Sequence, residues 1–159
     1  MRERALNERW EDVLADADAT AAEYRERGWE ATVVHPGDVN PIPDAGRLDV
    51  LLPGPEFDEV RDRMEHVAVD TFRVYAARQS GVSFRLVVAE DGDGEFALCV
   101  PTYLADPDAG PLEQAATSTG ALTVRLRPLD DRDVVEIELT APELFFDPDP
   151  DDVGSETAE

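Results

Sequence analysis

The spacing of apolar residues changes at Gly28 from the period of a helix to the period of a strand. Before this glycine, apolar side chains recur every three or four residues, from Leu6 through Trp10 to Tyr24, with carboxylates and arginines between them. That spacing places one apolar stripe on a helix predicted over residues 3–27, which Gly28 ends. After Gly28, apolar and polar residues alternate one by one, which indicates strands with one buried face.

The alternating segments predict seven strands. Three consecutive strands form a meander, and the last two form a hairpin. They cover residues 29–35, 48–52, 69–78, 82–90, 95–103, 122–126 and 135–139. Short helices are predicted over 55–64 and 111–118. The expected fold class is α+β, with one mostly antiparallel sheet of six or seven strands and the long N-terminal helix and two short helices packed on one face. Residues 1–146 form this single domain, and residues 147–159 are expected to be a disordered acidic tail.

The charge of the chain is strongly negative. Its 159 residues include 37 Asp and Glu against 14 basic residues, all arginine, for a formal net charge of -23. In dilute buffer this charge repels itself, whereas molar salt shortens the Debye length to about 3 Å and screens the repulsion. A hydrophobic fraction of 42% argues against a disordered acidic chain. The composition predicts a halophilic protein, and an acidic mesophilic protein that lacks lysine by chance is the alternative.

The same composition disfavours several function classes. Nucleic-acid binding needs clustered basic residues, and here the arginines are scattered among carboxylates. The chain is charged from its second residue, and no apolar run approaches the roughly 20 residues that cross a bilayer, so we expect neither a secretory leader nor a membrane span. Cys99 is the single cysteine, which excludes an intramolecular disulfide. A cytoplasmic protein without nucleic-acid or membrane partners is predicted.

Motifs for catalysis or cofactor binding are weak throughout the chain. A GxxxxGK[ST] phosphate loop is impossible without lysine, and no GxSxG nucleophile elbow is present. Cys99 lies inside a predicted strand, where a small packed side chain is more typical than a nucleophile. We therefore predict no catalytic residues and no cofactor.

The turn from His35 to Asp38 is the first candidate site. The two residues are three positions apart, so they could share a hard or borderline cation if the turn folds back, with Asp44 or Asp49 as a further ligand. A His-Pro-Gly-Asp run is more often a plain turn in which the aspartate caps backbone amides. The site hypothesis predicts that His35, Asp38 and Asp49 converge on one pocket.

Arginines on the predicted strands are the second candidate site. They could line a face that binds a carboxylate or phosphate ligand, with a tyrosine nearby. The candidate residues are Arg73, Arg85, Arg125, Arg127 and Tyr103. The alternative, which we favour, is cross-strand pairing of these arginines with glutamates such as Glu136 and Glu138 on a solvated face.

Two segments carry a resemblance to a known family. HPGDV occupies residues 35–39. It follows the motif GWE, which comes after the predicted helix that contains TAAEYRE. PELFF occupies residues 142–146. In these segments the chain resembles an uncharacterised family of haloarchaeal proteins, described as a domain of unknown function. The resemblance covers nearly the whole predicted domain. It implies a high-salt setting and no known activity or binding residue.

Three function classes follow from the sequence. The leading hypothesis is a non-enzymatic interaction or regulatory module that forms a homodimer or docks on a protein partner, because the sequence has no catalytic constellation and predicts a sheet with helices. The order of the first eight elements is similar to that of the roadblock and longin-like modules, which is an analogy of fold alone. The first alternative is a small-molecule or metal-dependent enzyme centred on the His35–Asp38 turn. The second alternative is a sensing domain that binds an anionic ligand through the strand arginines.

Overall fold

Two four-stranded sheets face each other, and the long N-terminal helix covers the outer face of one of them. The computed structural model describes residues 2–79, 81–130 and 133–146. The elements are, in chain order, α1 (Arg2–Glu26), β1 (Glu30–Val33), β2 (Asp38–Ile42), a 3-10 turn (Pro43–Ala45), β3 (Arg47–Leu52), α2 (Gly54–Met64), β4 (Thr71–Gln79), β5 (Val82–Asp91), β6 (Phe96–Ala105), α3 (Asp106–Thr119), β7 (Leu122–Pro128), β8 (Val135–Leu139) and α4 (Glu143–Phe146).

The strands divide into two mixed sheets. Sheet A has the order β1-β6-β5-β4, and sheet B has the order β2-β3-β7-β8. Each sheet contains one parallel pair, which is β1 with β6 in sheet A and β3 with β7 in sheet B. The α+β class and the long N-terminal helix agree with the sequence-based expectation. The expectation of one mostly antiparallel sheet of six or seven strands is wrong.

The central strands of sheet A explain this error, because they are buried on both faces. On β5, Leu86 and Val88 pack with α1. Val87 and Ala89, which alternate with them, belong instead to the core between the two sheets. A strand whose two alternating sets are both apolar is typical of a sheet covered on two sides. The simple alternation rule assigned only one of these sets to a core.

The remaining helices lie at the sides of the gap between the sheets. Phe57 of α2, Leu112 of α3 and Phe145 of α4 are all buried in the core that the two sheets share. The prediction that the short helices pack on the same sheet face as α1 is therefore wrong. Among the described helices, α1 is the one that covers the outer face of sheet A, through Ala17 and Ala21.

Strand β2 is an element that the sequence does not predict. Its Pro41 reads as a turn signal, but β2 is an edge strand that pairs only with β3, so the missing N–H of Pro41 interrupts no second ladder. The strand begins at Asp38, directly after the His-Pro-Gly turn. Its first residue, Asp38, lies beside Tyr103 near the end of β6, so the turn before β2 lies next to sheet A.

Part of the sequence-based prediction falls outside the described residues. The acidic tail at 147–159 does, and so do Ser80 and Asp131 in two of the predicted turns. The tail and the domain boundary at 146 therefore stay predictions. Within the described ranges, the helices are too short or too polar to cross a bilayer.

Candidate functional site

A groove lies between the first turns of α1 and strand β2, and we call it the α1–β2 groove. It encloses about 580 Å³, a size that falls within the roughly 300–1,000 Å³ common for small-molecule sites. The end of β6 and the start of α3 complete its walls. The lining side chains used below are Asn7, Trp10, Asp38, Asn40, Tyr103 and Asp108.

Aromatic rings form one wall of the groove. The centroids of Trp10 and Tyr103 are 5.1 Å apart and their planes meet at 88°. Phe84 lies 6.4 Å from Trp10 between centroids. An edge-to-face contact is favourable because the positive edge of one ring meets the negative face of the other. This contact fixes Trp10 and Tyr103 as a corner, and both rings are half-buried.

The hydroxyl of Tyr103 holds the carboxylate of Asp38 at this corner. It donates to Asp38 Oδ1 at 3.1 Å and accepts from the backbone N–H of Val39 at 3.2 Å. The side-chain amide of Asn40 donates to Asp38 Oδ2 at 3.1 Å. Burial, together with the bond to Asp38, raises the pKa of Tyr103 above its usual value, so the hydroxyl stays a donor at neutral pH. The groove therefore contains an oriented carboxylate beside two rings.

The three residues of the predicted metal site do not converge. The backbone N–H of His35 donates to Glu56 Oε1 at 2.7 Å, and its Nδ1 lies 2.7 Å from Glu56 Oε2. Its Nε2 lies 3.8 Å from Asp18 Oδ1 on α1. Asp38 lies in the groove, and Asp49 lies on the outer face of sheet B. Among the described residues, no group of three or more His, Cys, Asp or Glu side chains is placed to hold a metal ion.

The predicted arginine face is divided between surfaces. Arg73 lies on the α1 side of sheet A, where its Nε donates to Glu90 at 3.0 Å. Glu90 also accepts a hydrogen bond from the hydroxyl of Tyr24 on α1. Arg85 points into the gap between the sheets, where its Nε donates to the backbone carbonyl of Phe145 at 2.7 Å. Burial lowers the pKa of Arg85 to about 10. Its bond to Phe145 attaches α4 to sheet A.

The other two arginines lie on the outer face of sheet B. Arg125 pairs across strands with Glu136 at 2.6 Å. Asp49 Oδ1 lies 2.6 Å from Arg47 Nε, and Asp49 Oδ2 lies 3.9 Å from Arg127 Nε. The pair of Arg125 and Glu136 is of the cross-strand kind that the sequence offered as the alternative. The structure does not bring Arg73, Arg85, Arg125, Arg127 and Tyr103 together on one surface.

Comparison with known proteins gives the chain a family. A model described as "Family of unknown function (DUF7529)" matches residues 2–147. The chain belongs to DUF7529. No curated protein and no solved structure matches it. The expected resemblance to an uncharacterised family is confirmed, and the haloarchaeal origin that went with it stays a prediction.

The groove of this DUF7529 protein joins residues that the sequence had placed under separate hypotheses. Asp38 was a candidate metal ligand and Tyr103 a companion of the arginine face, yet their side chains form a hydrogen bond. Trp10 was assigned only to the apolar stripe of α1. Nothing in its spacing distinguishes it from the other residues of that stripe.

Proposed function

We propose that this DUF7529 protein is a non-enzymatic small-molecule-binding module whose ligand occupies the α1–β2 groove. The observation that carries the proposal is the carboxylate of Asp38, held by Tyr103 beside the ring of Trp10. Small-molecule sites typically combine apolar walls with a few oriented polar groups that fix the ligand's position. A group that is oriented before binding loses less entropy when the ligand arrives.

The chemistry of the groove favours recognition over catalysis. The proton of the Tyr103 hydroxyl is engaged by Asp38, and the raised pKa of Tyr103 disfavours its use as a base near neutral pH. Asp38 in turn accepts from two neutral donors, Tyr103 and Asn40. These bonds orient the carboxylate toward a ligand in the groove. Binding that regulates another process is the role this arrangement supports.

A bulky substitution in the groove tests this function. Asn7 is exposed on α1 and lines the groove, so Asn7→Phe should obstruct the groove without disturbing a core. Gln114→Phe adds the same ring to an exposed position of α3 and serves as the matched control. The experiment is equilibrium dialysis against a metabolite extract of the cells that make the protein, with mass spectrometry of the retained molecules.

We expect the wild type and Gln114→Phe to retain the same small molecules and Asn7→Phe to lose them. The proposed function is wrong if the wild type retains none, or if Asn7→Phe retains as much as the control does.

A protein partner or homodimer is a second candidate, supported by one feature. Leu129, which directly follows β7, is 80% exposed, and Val134 before β8 is 40% exposed. Large apolar side chains at the tip of a hairpin could enter a pocket on another chain. Light scattering at increasing protein concentration should show association that Leu129→Ser weakens. A monomer at all concentrations would contradict the homodimer.

We also propose that the protein works in the cytoplasm of a cell with concentrated internal salt. The net charge of -23 supports this setting, because only a high ionic strength screens such repulsion on a small domain. The free thiol of Cys99 supports a reducing compartment. The haloarchaeal resemblance of the sequence is consistent with both.

A further inference from the structure

We infer that the ligand of the α1–β2 groove is a small organic cation, an ammonium or guanidinium group carried on an apolar body. This inference rests on the proposed function and names the ligand class of the same groove. It is drawn from the charge of the groove, the partners of its carboxylates and the arrangement of its rings.

The charge of the groove is negative and is not balanced from within. Asp38 and Asp108 both line it, and no arginine or histidine occurs among its described lining residues. The hydrogen-bond donors to the Asp38 side chain, Tyr103 and Asn40, are both uncharged. Among the residues that the structure describes, Asp38 therefore has no cationic partner, and a bound cation could supply one.

Two other carboxylates of the molecule have an arginine partner, whereas the buried Asp91 accepts from backbone N–H groups. Glu90 receives a bond from Arg73, and Asp49 one from Arg47. Asp38 is also half-buried, but its partners are polar and neutral. Burial of a carboxylate is costly unless the charge is paired. A cationic ligand would supply at Asp38 the partner that arginines supply elsewhere.

The aromatic corner selects an organic cation over an inorganic one. Trp10 and Tyr103 stand at right angles, so their surfaces can surround a compact cationic group. The negative face of an aromatic ring attracts a cation, and tryptophan does so most strongly. Potassium or sodium ions are strongly hydrated and gain little from an apolar wall, whereas an alkylammonium group can contact the rings and Asp38 together. Anions are disfavoured by both carboxylates and by the net charge of the protein.

A fluorescence titration can test this ligand class, because the chain has only two tryptophans, Trp10 and Trp29. The variant Trp29→Phe leaves Trp10 as the single reporter at the groove. The probes are choline, its uncharged isostere 3,3-dimethylbutan-1-ol, and the anion 3,3-dimethylbutanoate. Titrations in about 1 M KCl shorten the Debye length to about 3 Å, so that general attraction to the acidic surface is screened.

We expect choline to change the emission of Trp10 saturably and the two other probes to bind at least about fivefold more weakly, as cation–π and ion-pair contacts suggest. Asp38→Asn keeps an oxygen that can accept from Tyr103, but it removes the charge and the acceptor of the bond from Asn40. It should weaken choline binding by about three- to fivefold. Asp12→Asn removes a charge at an exposed position of α1 and should leave the affinity unchanged.

The inference is overturned if the alcohol or the anion binds as well as choline, if choline leaves Trp10 unchanged, or if Asp38→Asn and Asp12→Asn have equal effects. These results would leave the proposed function standing when the dialysis experiment still shows retained molecules that Asn7→Phe loses. Retention of only neutral or anionic molecules would also overturn the ligand class alone. An empty dialysis result would overturn the function itself.

Discussion

Cys99 shows how burial sets the chemistry of a single side chain. It is fully buried where α1 packs on sheet A, and this burial raises the pKa of its thiol to about 12. The thiolate is the reactive form of cysteine, and very little of it exists at neutral pH in this position. We expect a thiol reagent at about pH 8 to label the unfolded chain rapidly and the native protein only as it unfolds. Rapid stoichiometric labelling of the native protein would contradict this placement.

The same thiol predicts a loss of stability in alkaline solution. Its pKa in the folded protein, about 12, lies above its usual value of 9.0, so the unfolded chain releases the proton first. The buried thiol contributes fully to the free energy of unfolding below pH 9, and this contribution is lost as the pH rises to about 12. One proton corresponds to about 1.4 kcal/mol of unfolding free energy per pH unit.

Urea unfolding at several pH values can measure this loss. Cys99→Ala should make the decline in unfolding free energy above pH 9 shallower by about 1.4 kcal/mol per pH unit, the slope that one proton produces. Tyr24 and Tyr103, whose pKa values are also raised, would still contribute to the decline in this variant. An unchanged slope in Cys99→Ala would show that the thiol titrates equally in both states.

At the scale of one element, the turn between β5 and β6 depends on Gly94. Its N–H donates to Asp91 Oδ1 at 3.0 Å, and the other oxygen of Asp91 accepts from the N–H of Ala68 at 3.1 Å. A Cβ built on Gly94 would lie 2.6 Å from Asp91 Oδ2. Gly94→Ala must therefore displace this carboxylate, and we expect it to lower the unfolding free energy by about 1–3 kcal/mol in denaturant titrations.

The neighbouring residue provides a control of opposite sign. Glu95 adopts a left-handed backbone with φ of 53°, which costs free energy for any residue with a Cβ. Glu95→Gly should relieve this cost and leave the stability unchanged or higher by up to about 1 kcal/mol, since glycine also loosens the unfolded chain. Equal losses of unfolding free energy in Gly94→Ala and Glu95→Gly would contradict both the predicted clash with Asp91 and the predicted backbone strain at Glu95.

The elements differ in how well the sequence predicts them. The helix α1 and the hairpin of β5 with β6 follow from periodicity, because their local patterns are long and regular. Strand β2 does not, since Pro41 hides a strand that only its edge position permits. The groove depends on β2, so the contact between Asp38 and Tyr103, 65 positions apart, could not be predicted from either residue alone. The division into two sheets was missed for a related reason, since alternation does not distinguish one covered face from two.

For the whole molecule, the acidic surface predicts a stability that depends on salt. Between about 0.1 M and about 1 M KCl the Debye length falls from about 10 Å to about 3 Å. We expect the melting temperature to rise over this range by about 2–8 °C, which corresponds to roughly 1–2 kcal/mol for a domain of this size. Calorimetry or circular dichroism at increasing KCl concentrations would measure it.

A variant with fewer charges separates screening from other effects of salt. Glu8, Glu11 and Asp12 are exposed on α1, and replacing them with Gln, Gln and Asn removes three negative charges without touching a core. This variant should gain less from added KCl than the wild type gains. If the two proteins respond identically, the net charge does not determine the salt dependence and the halophilic interpretation loses its physical basis.

The central claim is that the α1–β2 groove binds a small organic cation, and fluorine NMR of the full chain tests it most directly. Protein labelled with 5-fluorotryptophan should give one resonance for Trp10, at the groove, and one for Trp29, beside Tyr24 and outside it. We predict that choline shifts the Trp10 resonance saturably, leaves Trp29 unchanged, and has no effect on Trp10 in Asn7→Phe. A Trp10 resonance that stays in place, or a Trp29 resonance that moves as far, would contradict the account.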